Sequence, residues 1–321
     1  PSKPQPSFED AHISSFTHLY SEVNQRGELQ LALGNGSFKS PRIFTIPTPD
    51  NPEDSFAYGG VTVNAQSASF RFQGLRVSIN RAGVMMVEGY QAQHKPIFLA
   101  SNRPIILSNI EASAVSVFSP GVVTAGISTF GYLRFEGQHT AEGEALFVNA
   151  GTLTAKELFL KNLTSTNIGG IRATHFAVDG KLSSTGTIAS SELILEESAF
   201  LKLTETSRAD IKTLFLSKAS HLENHETTKA VKIGVLDGLG GNLTNHGTLA
   251  VGEVAADSTF QAITNRHFLD VALGTIQTQQ FENHGTFISS QSDLQVADGQ
   301  NLGALKAKGL QVKAAFTNTA T

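Results

Sequence analysis

Cysteine is absent from this 321-residue chain, which removes disulfides, thiolate metal sites and cysteine nucleophiles together. A protein that must stay unfolded while it crosses an oxidising periplasm does better without thiols, so the absence suits export. Charge is sparse as well. Charged residues make up 16% of the chain against 40% hydrophobic, too few for a disordered polymer and enough apolar side chains to fill a long core. The net charge is −4 and no run of Lys or Arg stands out, so neither nucleic acid nor an anionic membrane surface is an expected partner. Apolar runs of the roughly 18 residues needed to span a bilayer are missing too, and no membrane insertion is expected.

What the chain does have is repetition. One phrase returns as Phe147 to Leu153 (FVNAGTL), Leu243 to Leu249 (LTNHGTL) and Phe281 to Phe287 (FENHGTF). Weaker copies run from Leu182 (LSSTGTI), Leu222 (LENHET), Ile263 (ITNRH) and Phe316 (FTNTA). From the glycine slot at Gly151 to the equivalent Ala320 is 169 residues (320 − 151). Fainter copies around Asn167 to Gly169, Ser207 and Gly303 divide that distance into nine steps, a period of about 19 residues. Between the phrases a second short strand recurs, for example Glu157 to Leu160 (ELFL), Glu192 to Leu195 (ELIL), Thr213 to Leu216 (TLFL) and Asp293 to Val296 (DLQV).

A repeat of that length cannot hold a strand, a helix and two turns, but it accommodates three short strands. The expected fold is therefore all-β: a right-handed parallel β-helix (solenoid) over residues 105–321, preceded over residues 1–104 by a less regular β-rich region. Stacking turns the recurring slots into columns. Asn149, Asn224, Asn245, Asn265, Asn283 and Asn318 are expected to form an inward-facing amide ladder. Gly151, Gly186, Gly247 and Gly285 are expected to turn the corner with positive φ. Leu107-Ser108-Asn109 reads as the first rung.

Upstream, Val61 to Asn64, Ser69 to Phe72, Leu75 to Ile79 and Val84 to Val87 read as strands spaced for hairpins. A short amphipathic helix is expected at about residues 8–25, with Phe8, Phe16, Leu19, Tyr20 and Val23 near one face, closing the end of the solenoid core. The four prolines between Ser40 and Pro52 indicate a loop.

These phrases resemble the repeats of filamentous-haemagglutinin-like exoproteins of Gram-negative bacteria: adhesins, haemolysins and contact-dependent inhibition proteins exported by two-partner secretion. The Asn-Pro-Asn motifs of that family's secretion domain are not in the chain, and Asp50-Asn51-Pro52 is a partial echo. The resemblance implies a secreted or cell-surface segment whose β-helical rod serves adhesion or cell-contact recognition and virulence. Its partners would be an outer-membrane two-partner transporter during export and a receptor on a host or neighbouring cell. An autotransporter passenger and a β-helix carbohydrate-active enzyme, of tailspike or polysaccharide-lyase type, are the alternatives.

Side chains that could carry chemistry do not recur in a catalytic pattern. Asp210, Asp237, Asp257, Asp270, Asp293 and Asp298 share no single slot, and no nucleophile motif is present, so no enzyme activity is expected. Gly234 to Gly241 lacks the Gly-Lys-Ser/Thr ending of a phosphate loop and reads as an expanded turn. His225, His246 and His284 occupy one slot, with Arg266 in the same slot between them and no carboxylate in it. They read as an outward column, and neither a metal site nor a cofactor is expected.

Overall fold

The computed structural model describes residues 12–13, 18–34, 43–44, 56–57, 62–65, 67–92, 94–138 and 143–319. Every regular element among them is a β-strand, and the chain is a parallel β-solenoid with turns about 18 residues apart. It divides into two compact units, Pro1–Thr164 and Ser165–Thr321.

The first unit opens with hairpins. Ala68–Phe72, Leu75–Ile79 and Met85–Tyr90 form an antiparallel meander, with Phe70, Phe72, Val77, Ile79, Met85 and Val87 buried on one side. The first connection is the two-residue turn Gln73-Gly74, with φ of 51° and 89°, the left-handed pair whose twist matches that of the flanking strands. Parallel stacking then takes over. Met85 and Val87 align with Ile105 and Leu107, these with Val122 and Thr124, and these with Phe147 and Asn149. Leu107 therefore shares the ladder slot, and Asn109 does not. Asn109 lies two residues on, exposed, with φ of 49°, and accepts the backbone N–H of Ile127.

Where the sequence suggests a helix over about 8–25, the described residues form strands up to Val23, followed by a turn. His18–Val23 pairs antiparallel with Leu29–Gly34 on one side and parallel with Phe98 to Ser101 on the other. Leu19 and Ser21 are fully buried while Tyr20 and Glu22 are not, so the operative period is two rather than 3.6. Partners on both edges satisfy the backbone of this segment, an advantage that a single weak amphipathic stripe does not match. His12–Ile13 is also a strand, and Phe8 and Phe16 lie outside the described residues. Within the proline-rich stretch, Ile43–Phe44 pairs with Phe56–Ala57, and the remainder lies outside the described residues.

The second unit shows the repeat most plainly. One turn runs through Phe281 to Asn283, then Thr286 to Ser289, then Asp293 to Val296, three arms joined by tight corners. Each arm stacks in register on the next turn, so Leu222, Leu243, Ile263 and Phe281 form one core column and Val231, Leu249, Leu269 and Phe287 another. All eight are buried. The second recurring strand supplies a third column, in which Phe176, Leu193, Leu214 and Leu236 align.

The corner glycines serve a purpose other than the one expected. None of Gly151, Gly186, Gly247 and Gly285 has positive φ. A Cβ placed on Gly151 would instead lie 2.2 Å from the carbonyl oxygen of Gly126 on the preceding turn, and one on Gly186 1.9 Å from that of Gly169. Gly247 meets Glu226 at 2.1 Å and Gly285 meets His267 at 2.0 Å in the same way. The corner approaches the turn beneath it too closely for any side chain, so glycine is needed for space rather than for dihedral freedom.

This distinction has a measurable consequence. Gly285→Ala should lower stability by about 1–3 kcal/mol through overpacking against a carbonyl, whereas Gly170→Ala, where an added Cβ would meet nothing within 4 Å, should be close to neutral. Urea denaturation of both variants tests the assignment, and equal losses would refute it.

Candidate functional site

Side chains at the corner of each turn carry the chemistry that the repeat can offer, and they divide into an inner and an outer row. The inner row is the amide ladder. In the second unit Asn224 Nδ2 donates to Asn245 Oδ1 at 2.8 Å, Asn245 to Asn265 at 2.8 Å and Asn265 to Asn283 at 2.7 Å. Asn283 continues to Asn301 at 2.7 Å and Asn301 to Asn318 at 2.8 Å. The same amides also satisfy the corner backbone. Asn245 Nδ2, for instance, reaches the carbonyls of Gly247 at 2.8 Å and of Phe268 at 2.9 Å. All of these asparagines are buried except Asn318, which is exposed at the last described turn.

The phrase around Asn301 is hidden in the sequence because Gly299 stands where the other copies carry Leu, Ile or Phe. The ladder is interrupted at Leu203, which occupies the slot between Ser184 and Asn224; there the Ser207 hydroxyl donates to the Ser184 carbonyl instead. Asn149, in the first unit, accepts from Thr124 Oγ1 at 2.7 Å and donates to the Gly151 carbonyl at 3.2 Å.

The outer row faces solvent. Strand alternation puts Glu223 and His225 on the same side of the strand on either side of buried Asn224, and the next turn brings His246 beside His225. Their imidazoles are stacked, with centroids 4.5 Å apart and planes 8° from parallel. The Nε2–H of His225 donates to Glu223 Oε1, and Lys202 Nζ lies 3.4 Å from the same oxygen. Glu282 and His284 repeat the carboxylate–imidazole pair three turns further on, where the flanking positions are Arg266 and Leu302. A carboxylate therefore does reach the histidine row, supplied from two residues earlier rather than from the slot itself. Beside His225 lies an open depression lined by Lys202, Thr204, Glu205 and Thr206.

The electrostatics of this corner follow from its half-buried state. Desolvation lowers the pKa of His246, helped by the charges of His225 and Arg266, and desolvation also lowers that of His221 despite the opposing charge of Glu223. Burial disfavours ionised Glu223, yet the His225 hydrogen bond and the Lys202 charge outweigh it and hold the carboxyl below its usual range. Glu226 is likewise penalised by burial and still lowered, because its carboxylate accepts from the Thr228 hydroxyl and from the backbone N–H groups of Thr228 and Lys229.

The six aspartates are dispersed. Asp210 aligns with Lys232, Asp270 with Ala250 and Ile288, Asp293 with Thr275 and Gly309, and Asp298 with Gln280 and Ala315. Asp237 accepts from Ser258 Oγ, and Asp257 holds a turn with φ of 64°. No two of them are register partners among the described residues. No family model, curated protein or solved structure matches the chain.

Two outcomes follow. Asn265→Leu strands the buried amide of Asn245 and corner carbonyls, and should cost on the order of 1–3 kcal/mol in urea denaturation. Asn318→Ala, at an exposed position, should cost distinctly less, and equal losses would mean that the ladder adds nothing through burial. The pH dependence has one sign throughout. Histidines lowered in the folded state give stability that is complete above 6.5 and lost as pH falls through their folded values. Lowered carboxylates give stability that is complete above 4.5 and lost as pH falls through theirs. The urea midpoint should therefore fall steadily from pH 7 to pH 3, and Glu226→Gln should flatten the part below 4.5. A midpoint that rises on acidification would contradict both assignments.

Proposed function

We propose that this chain is a structural and interaction segment of a large exported bacterial exoprotein of the filamentous-haemagglutinin-like kind, and that it works by contact rather than by catalysis. One observation carries the reading: core slots hold nearly constant residue types from turn to turn, while outward slots change freely. A single outward row reads Phe200, His221, Asn242, Ala262, Gln280, Asp298. A scaffold whose core is satisfied by stacking leaves its surface free to vary toward a partner, as extended repeat surfaces do. Absence of cysteine and the repeat phrase itself support export to the cell surface through a two-partner transporter, with a receptor on a host or neighbouring cell as the eventual partner. An autotransporter passenger would use the same scaffold.

One feature favours the carbohydrate-active alternative. A shallow groove in the second unit is lined by Gln280, Glu282, Asp298 and Gln300, polar groups of the kind that line saccharide sites. The two readings separate in one experiment. Purified protein is incubated with intact bacterial and host cells to measure binding, and with a polysaccharide panel to detect new reducing or unsaturated ends. Saturable cell binding without turnover is the expected result. Turnover abolished by Glu282→Gln or Asp298→Asn would replace the contact reading with an enzymatic one.

A further inference from the structure

We propose that Glu223, His225 and His246 form a binding site for a borderline divalent transition ion, of the zinc, copper or nickel class. Two geometric facts of the solenoid bring the three together. Alternation along one strand places Glu223 and His225 on one side, and parallel stacking places His246 directly beside His225. One donor atom from each lies within 4.8 Å of the others. Bonds of about 2.0–2.1 Å in a tetrahedral arrangement place ligand atoms about 3.3 Å apart, so side-chain rotations must close the site. The stacked rings must tilt apart for their lone pairs to converge, and the open side of the corner leaves room for that.

The donor set selects the ion. Two imidazoles and one carboxylate with an open fourth position suit zinc and its neighbours, whereas calcium and magnesium demand six or more oxygens that this corner does not offer. Nearby charge acts in the same direction. Lys202 lies 3.4 Å from Glu223, and the Arg266 charge acts on His246. An ion held mainly by charge is repelled there, and one that bonds strongly to imidazole is retained. Binding through Nε2 replaces the hydrogen bond of His225 to Glu223, and the ring proton then sits on Nδ1, leaving a neutral imidazole ligand. The His246 backbone N–H donates to the Asn224 carbonyl, while its ring makes no hydrogen bond among the described residues and stacks on His225, so no side-chain hydrogen bond has to be broken at that ligand.

The solenoid also contains its own control. Glu282 and His284 repeat the carboxylate–imidazole pair, but the adjacent turns offer Arg266 and Leu302 in the histidine slot, so only two donors meet. The first corner should bind and the second should not.

The test uses the full chain without an affinity tag, titrated with zinc chloride and with copper chloride by calorimetry and equilibrium dialysis. One equivalent should bind with a Kd well below about 1 mM, and the melting temperature should rise with zinc concentration but not with magnesium or calcium. Glu223→Gln should weaken binding about tenfold or more. His246→Arg should abolish it while preserving the fold, since Arg266 already fills the same slot one turn on. His284→Ala should leave binding unchanged. Far-ultraviolet circular dichroism verifies that each variant is folded. Absence of stoichiometric binding to the folded wild-type chain, binding unaltered in folded His246→Arg, or loss in folded His284→Ala would each overturn the proposal.

Discussion

Parallel hydrogen bonding of one turn onto the next, in register, is the constraint from which the remaining features follow. Turns a strand spacing apart, roughly 4.8 Å, make a column of every sequence position, and a column is stable only if its occupant tolerates a copy of itself as neighbour. Leu and Phe tolerate it by apolar contact. Among polar residues that can be fully buried, Asn is favoured because its amide carries both donors and an acceptor, so identical side chains can be linked head to tail. The run from Asn224 to Asn301 does this in one direction, each Nδ2 from Asn224 to Asn283 bonding the next Oδ1 while also reaching a corner carbonyl. Where Leu203 enters the column, a serine hydroxyl from the neighbouring loop takes over the task of satisfying the backbone.

The same stacking explains where side chains must be absent. At Gly247 and Gly285 the corner lies against the carbonyl of the turn beneath, and a methyl group would intrude on it. Gly299 plays a different part: it takes the place of a core aromatic, and the rings of Phe281 and Phe316 on either side come within 6.4 Å of one another. A volume missing from one turn is thus shared by the large residues above and below, as close packing of an interior requires.

Outside the core the columns are free to change, and function has to be sought there. The histidine corner arises from two independent coincidences, a carboxylate two residues before one imidazole and a second imidazole on the following turn. Either alone gives an ordinary surface pair, as Glu282 and His284 illustrate. Half-burial lowers the pKa of His246, because desolvation disfavours the protonated imidazole.

By itself the sequence determined the all-β class, the parallel stacking, the period and the identity of most ladder positions, because each of these is a local pattern repeated many times. It also disclosed the hairpins upstream, whose strands alternate and are separated by turn residues. Tertiary structure decided the rest. His18–Val23 became a strand because partners at Leu29–Gly34 and Phe98 to Ser101 flank it, and neither is visible in its own periodicity. Asn301 joined the ladder although its phrase is masked by Gly299, since register is inherited from the turn below rather than from the phrase. The corner glycines were legible as a slot but not in their reason, because the approach of a carbonyl from the preceding turn is a distance in space and leaves no mark on the glycine's own neighbours in the chain.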